Sequence, residues 1–508
     1  MSFLATIAGI AKIPAYKYED YEYLVALPEM ILLGAACFIL IFDLYVSQKN
    51  RVVTYLLAQA TLVGLAVYTV MHLTPATSAP ISAFNGAFVR DNLGDILKIF
   101  IYITCFLVFV YSRDYLKDRN IFKGEYFVLG LFGVLGMMIM VSSASMLTLY
   151  IGLEVMSLTL YAMVAFKRDS GNASEAAMKY FVLGAIASGM LLYGISMLYG
   201  VTKSIDISEI SQYISTHKEM NLTLVFGLVF IMIGLAFKLG AVPFHMWVPD
   251  VYEGAPTCVT LYIGSITKIA AFAMVIRVLV DGMSGAGVKG SDGLMLDWRQ
   301  ILIVLSVLSL AVGNIIAIAQ TNLKRMLAYS TISHVGFLLL GILAGSNAGY
   351  AAAMFYTLTY ALVSAAAFGL IIVLTRKGFE SENISDLKGL NERSPWFAFM
   401  ILIVMFSLAG VPPTVGFFAK LQVLNTVVQV NLTWLALVAV GFSIIGAYYY
   451  IRIVKVMYFD KPESTEPVSS AGFDTKVIVS ANSLMVLAAG LFPGALIALC
   501  NAAFKVAG

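Results

Sequence analysis

Glu154 in YIGLEVMSL, Lys238 in GLAFKLGAVPFH, Lys268 in GSITKIAAF and Lys420 in SLAGVPPTVGFFAKLQVL each set one titratable side chain inside an apolar run. Lys179, His245 and His334 are weaker members of the same set. A lysine at the centre of a membrane helix costs roughly 2.5–3.5 kcal/mol, so such residues face a protein interior or a hydrated cavity. Burial disfavours the charged amine and a nearby carboxylate restores it, so parting the two drives proton release. Titratable groups strung across several helices therefore suit a proton relay. Substrate chemistry finds no support, because the chain has no glycine-rich phosphate loop, nucleophile elbow or HExxH.

Two breaks must position these groups. Pro243 follows Lys238 by five residues, lacks an amide hydrogen and clashes with the carbonyl four residues back, that of Leu239. In the hydrocarbon layer that carbonyl needs another partner, which confines broken backbone to protein-lined or hydrated places. Pro412 and Pro413 interrupt a second apolar run, and Lys420 follows them by two turns. A half-helix C-terminus favours a cation and an N-terminus disfavours it. Lys238 precedes its break and Lys420 follows its own, so the two are expected at different proton affinities, with Lys420 seeking water on the periplasmic half. Lys98 and Arg277 lie near span ends and are expected to snorkel to the interface, whereas Lys179 is expected inside.

The composition, 60% hydrophobic and 12% charged, is that of an integral membrane protein, since soluble domains are about 25% charged. Windows of about 20 apolar residues give fourteen spans, near 24–46, 52–72, 94–112, 126–143, 145–166, 175–200, 221–242, 256–281, 300–319, 326–345, 349–375, 396–429, 432–457 and 477–503. Loops after odd-numbered spans carry eighteen Lys and Arg, against eight on the other side. Basic residues stay cytoplasmic, so both termini are expected on the periplasmic side. The first residues lack a basic segment ahead of their apolar run and do not read as a cleaved signal. Cys37, Cys105, Cys258 and Cys500 all sit in apolar runs without metal-ligand spacing and read as small buried hydrophobes. No cofactor or metal is expected in this chain.

The chain also repeats. A shift of 176 positions sets Ala176 on Ala352, Ala177 on Ala353, Met178 on Met354, Tyr180 on Tyr356, Ser188 on Ser364 and Ser157 on Ser333. The unit is five spans, 4–8 matching 9–13, and an odd count makes the two copies face opposite ways, a mark of transporters. The expected fold is therefore all-α and membrane-integral, about fourteen transmembrane helices with two inverted five-helix repeats, each holding a broken helix. Residues 1–120 form an N-terminal extension and three helices, 125–460 the core, and 461–508 a loop and the last helix.

The stretches YIGLEVMSL, EAAMKYFVLGAIASG, GLAFKLGAVPFHMWVPDVYEGAP, TKIAAF, QTNLKRMLAYSTISHVGFLLLG and SLAGVPPTVGFFAKLQVL, in this order, resemble the antiporter-like subunit N family of the proton-pumping NADH:quinone oxidoreductase, respiratory complex I. The resemblance extends from Pro28 onward. It implies fourteen helices with two inverted repeats, and proton-relay roles for Glu154, Lys179, Lys238, Lys268 and Lys420, with connecting roles for His245 and His334. It also implies a bacterial inner membrane, lipid contact and no nucleic acid. Subunit M and the small subunits J and K are the implied neighbours, with NADH, flavin, iron–sulfur clusters and quinone held by other subunits. Sister subunits L and M and the multisubunit cation/proton antiporters share the FK…VPFH and LKR…SH segments. The sister subunits tend to carry an acidic residue where this chain has Lys420. A passive scaffold held together by buried charges is the reading from a different class.

Overall fold

The computed structural model describes residues 22–217, 222–283, 288–289, 295–376, 379–462 and 471–505. The expected N-terminal extension and both chain ends lie outside the described residues. Helices account for nearly all of the rest: α1 Leu27–Asp43, α2 Val52–Met71, α3 Asn92–Asp118, α4 Gly124–Val141, α5 Met146–Val164, α6 Gly171–Thr202, the short α7 Ile207–Thr216, α8 Leu222–Leu239, α9 Trp247–Gly254 and α10 Thr257–Val275. A π turn, Ile276–Asp281, extends α10. Then follow α11 Trp298–Ile318, α12 Leu323–Leu343, α13 Asn347–Leu374, α14 Pro395–Ala409, α15 Val415–Gln429, α16 Thr433–Phe459, α17 Phe473–Leu491 and α18 Gly494–Ala503. Among the described residues, 12 helices are long and apolar enough to cross a membrane. α1 falls one residue short of that length, and the run expected at 396–429 is the broken pair α14 and α15. Two antiparallel hairpins, Ile81–Ala83 with Phe88–Arg90 and Val288–Lys289 with Met295–Leu296, sit in loops.

Side-chain caps start the helices where apolar runs begin. Ser145 caps α5, Ser170 α6, Asn322 α12 and Ser346 α13, each oxygen accepting from an amide of the first turn and so pairing one of the donors that a helix start leaves over. Ser170 and Ser346 are 176 positions apart. The hairpins α4–α5 and α11–α12 close through glycine, because a Cβ on Gly136 would strike the backbone of Met156 and one on Gly313 that of Ser333. Lipid offers no hydrophobic drive between helices, and small residues that let backbones approach supply the contact. α10, α12 and α13 are enclosed on almost every side, 94%, 100% and 94% of their apolar windows being buried. Those three helices hold Lys268, His334 and Tyr356, one of the two tyrosines bonded to His334.

The single helix expected over 477–503 is interrupted: α17 stops at Leu491 because Pro493 cannot donate and α18 restarts after it. Lys98 and Arg277 do not snorkel. Lys98 is 1% exposed and paired with Glu29 of α1, 2.5 Å, while Arg277 is buried between Asp91 at 2.8 Å and Asp281 at 3.1 Å. Ionic partners inside the protein were available, so neither head group had to reach water. Cys37 is exposed on α1, unlike Cys105, Cys258 and Cys500.

Candidate functional site

Each proline frees a carbonyl, and a lysine takes it. At the first break α8 ends at Leu239, Gly240 adopts φ +80°, and the chain passes Pro243 before α9 begins. The Leu239 carbonyl, four residues before Pro243, accepts from Lys268 Nζ at 2.8 Å. The Phe237 carbonyl accepts from the indole of Trp247 at 2.9 Å, and that ring lies 5.9 Å below Lys268 Nζ. At the second break α14 ends at Ala409 and Gly410 adopts φ +85°. The Ala409 carbonyl, four residues before Pro413, accepts from Lys420 Nζ at 2.8 Å, and the Leu408 carbonyl accepts at 3.3 Å. Ser443 of α16 accepts from the same ammonium at 2.8 Å. Positive φ explains the two glycines, because a side chain there is strained, and a Cβ at Gly410 would also crowd Lys420 Cδ.

Lys420 therefore departs from its expected place. Its Cα lies on the half-helix after the break, yet its head group folds back onto the C-terminal end of the half-helix before it, where the helix dipole favours a cation. The residues in equivalent settings are Lys268 and Lys420, and Lys238 sits one turn before its break in a different environment. Lys238 is buried, donates to Ser157 Oγ at 2.7 Å and lies 5.8 Å from the Tyr161 ring. Glu154, Ser157 and Tyr161 fall at i, i+3 and i+7 and so share one face of α5. The hydroxyl of Ser157, not the carboxylate, touches the lysine, and Glu154 is half-buried with Oε1 left unpaired. An unpaired polar atom at this depth is where water belongs.

His334 of α12 hydrogen-bonds through both ring nitrogens, Nδ1 to Tyr356 Oη at 2.6 Å and Nε2 to Tyr450 Oη at 3.1 Å. The Phe337 ring, nearly one turn further along α12, lies 5.2 Å from Lys420 Nζ. His245 sits in the first break, half-buried, its Nδ1 unpaired. Lys179 is not interior within this chain. Its side chain is 45% exposed and pairs with Glu175 at 3.0 Å and Asp250 at 2.8 Å. Those residues, with Glu253 and Arg325, line an open cleft of about 260 Å³. α6 is buried along one stripe only, Ala173, Ala176, Ala177, Tyr180 and Gly184, and position 179 lies off it.

Several participants were not singled out from sequence. Ser157 could have been, standing one turn after Glu154. Tyr356 entered only as the repeat match of Tyr180, and Ser443 and Tyr450 had no signal of their own among 27 tyrosines and many small polar residues. Lys324, counted as a loop cation, is 1% exposed and bridges the Ala255 carbonyl at 3.0 Å and Glu382 at 2.7 Å. Chemically, the arrangement holds amines, hydroxyls, an imidazole and a carboxylate at membrane depth, each able to take or give a proton.

Comparison with known proteins agrees in extent. Residues 143–446 match the family described as NADH:quinone oxidoreductase/Mrp antiporter, transmembrane, and residues 17–114 match the N-terminal family of NAD(P)H-quinone oxidoreductase subunit 2. The chain is 60% identical over 489 residues to NADH-quinone oxidoreductase subunit N of Thioalkalivibrio sulfidiphilus, covering 96% of this chain and 99% of that one. It is 55% identical over 479 residues to the same subunit of Thiobacillus denitrificans, covering 94% and 97%. Among solved structures it superimposes on a chain of respiratory complex I from Thermus thermophilus with a TM-score of 0.78 at 27% identity, covering 93% and 98%. A chain of the Mrp complex from a Dietzia species shares the fold, TM-score 0.79 at 20% identity over 96% and 97%.

Proposed function

We propose a proton-relay function for this chain, which belongs to the NADH-quinone oxidoreductase subunit N family. It is an antiporter-like membrane-arm subunit of a bacterial inner-membrane translocase and carries protons while quinone is reduced elsewhere in the complex. The observation that carries the reading is the pair of proline-freed carbonyls, each held by a lysine amine, Lys268 on Leu239 and Lys420 on Ala409. An ammonium and a neutral amine can both donate to a carbonyl, but only the ammonium gains from the helix dipole. Protonation of the lysine and the geometry of the break are thereby coupled. Glu154, Lys238, Lys268, His334 and Lys420 form the relay, with His245 as a connecting group at the first break. Lys179 acts from the rim, as the cation beside Asp250 in the cleft.

The finer architecture goes with this reading: fourteen crossings, spans 4–8 and 9–13 as inverted copies inside a core of 125–460, and both termini periplasmic. Support comes from the 176-position match of capping serines, the glycine-closed hairpins and one broken helix per copy. In its complex the chain neighbours subunit M and small subunits of the J and K type, with NADH, flavin, iron–sulfur clusters and quinone held by other subunits. The test is Lys238→Ala and Lys420→Ala in the whole complex reconstituted into vesicles. Both variants are expected to keep the electron-transfer centres while quinone-coupled turnover and pumping fall together. Normal pumping in both, at normal assembly, overturns the relay and leaves a scaffold.

A further inference from the structure

The relay reading leaves open how a proton crosses the enclosed second half of the chain, and the surroundings of His334 supply an answer. Its imidazole is suspended between two hydroxyls brought by different helices, Tyr356 on α13 and Tyr450 on α16. Tyr450 Oη is in turn hydrogen-bonded to Ser330 Oγ, just over one turn earlier on α12 and roughly 10 Å along it from its start. Beside the ring a small, half-open cavity of about 20 Å³ is lined by His334, Tyr356, Thr359, Tyr360, Ser407 and Leu408, among others. That volume accommodates one water, which needs at least about 10–15 Å³ and two to four polar partners. Four hydroxyl residues line it beside the histidine, and Leu408, also on its wall, offers its carbonyl to Lys420.

Resting on the relay reading, we infer that Tyr450 and Tyr356 thread a proton through His334, and that a water in this cavity passes it on toward Lys420, whose neighbour Ala419 and acceptor Leu408 line the wall. A neutral imidazole carries one N–H and one bare nitrogen, and a phenol hydroxyl can donate and accept, so either tautomer is fully bonded. As a proton arrives at Tyr450 Oη from the Ser330 side, the tyrosine's own proton moves to Nε2. The Nδ1 proton leaves to Tyr356 Oη, whose proton passes to the water, and the water passes one on toward the Lys420 amine. One proton enters and one leaves, and no charge stays on the ring. The passage leaves the ring as its Nε2–H tautomer, and reorientation of the imidazole together with the two phenol hydroxyls has to precede the next proton. This role is unrelated to packing, since Tyr→Phe deletes only the oxygen.

The experiment uses the whole complex in vesicles, with Tyr356→Phe and Tyr450→Phe read for pumping, coupled turnover and solvent deuterium isotope effect. Each is expected to lower pumping at least about fivefold, the factor that losing one hydrogen bond gives, and to raise the isotope effect. The double variant should be no slower than the worse single, because the hydroxyls act in series. Tyr262→Phe is the control: it loses a buried hydroxyl bonded to the Gly130 carbonyl, away from His334, Tyr356, Tyr450 and Ser330, and its isotope effect should match the parent. If either phenylalanine variant fails to assemble, 3-fluorotyrosine in place of Tyr450 keeps the hydroxyl and must still change the isotope effect. Parental pumping and isotope effect in both tyrosine variants, while Lys420→Ala is blocked, overturn this assignment alone. Parental pumping in Lys420→Ala overturns this proposal, and parental pumping in Lys238→Ala as well overturns the relay with it.

Discussion

Lys268 can be asked whether it serves as a donor or as a proton carrier, because arginine and methionine divide those roles. Lys268→Arg keeps a cation and several donors for the Leu239 carbonyl but does not deprotonate. It should assemble and yet pump poorly. Lys268→Met leaves that carbonyl unpaired in the interior, costing about 1–3 kcal/mol, so the complex should both assemble less well and fail to pump. Pumping in vesicles, normalised to electron-transfer centres, checks both, and equal, full activity would make Lys268 structural filling. That Leu239 would need a partner was legible in the sequence, since Pro243 fixes which carbonyl is freed. Which side chain would come was not legible, because Lys268 arrives from another helix. The same limit explains Lys420. Its distance from the break along the helix suggested a head group pointing away, whereas the long stem folds back to the Ala409 and Leu408 carbonyls.

At the level of helices, apolar windows located the runs and Pro243, Pro412 and Pro413 marked two breaks, while the break at Pro493 and the facing of each helix were missed. Apolar periodicity points a helix in water, where one side must be wet; in a bilayer the lipid is as apolar as the protein interior. Lys179 on α6 and Lys98 on α3 were misplaced for that reason. One close approach tests how far a break depends on its neighbour. A Cβ on Gly490 of α17 would fall on the carbonyl oxygen of Pro413, and on the backbone of Thr414 and Val415. Since these atoms are backbone, the helix must retreat. Gly490→Ala is therefore expected to push α17 off the second break and reduce pumping severalfold, at a stability cost of about 1–3 kcal/mol for overpacking. Gly494→Ala, where a Cβ meets nothing within 4 Å, should pump as the parent does. If both variants pump equally well, the second break tolerates displacement and α17 does not support it.

Across the whole molecule, one buried pair ties together two helices of the N-terminal unit. Glu29 on α1 and Lys98 on α3 meet inside the protein, with the Phe88 ring 5.4 Å from the ammonium. The N-terminal helices are thereby fastened to one another through charge at membrane depth, on the same body as the proton-carrying core, since α3 also packs along α10 and α13. A buried pair contributes little net stability against an apolar replacement, but breaking one partner leaves an uncompensated ion and costs about 3–5 kcal/mol. Glu29→Gln strands the Lys98 ammonium with a neutral neighbour, so the amount of this chain recovered in the purified complex should fall sharply. Glu29→Leu combined with Lys98→Met removes both charges at similar volume and should restore recovery. Because neither residue belongs to the relay, the complex recovered from the double variant should pump normally per electron-transfer centre. Full recovery of Glu29→Gln would mean that the amine finds water at this site. Full recovery of the double variant with pumping abolished would place Lys98 on the proton path instead of in the frame that supports it.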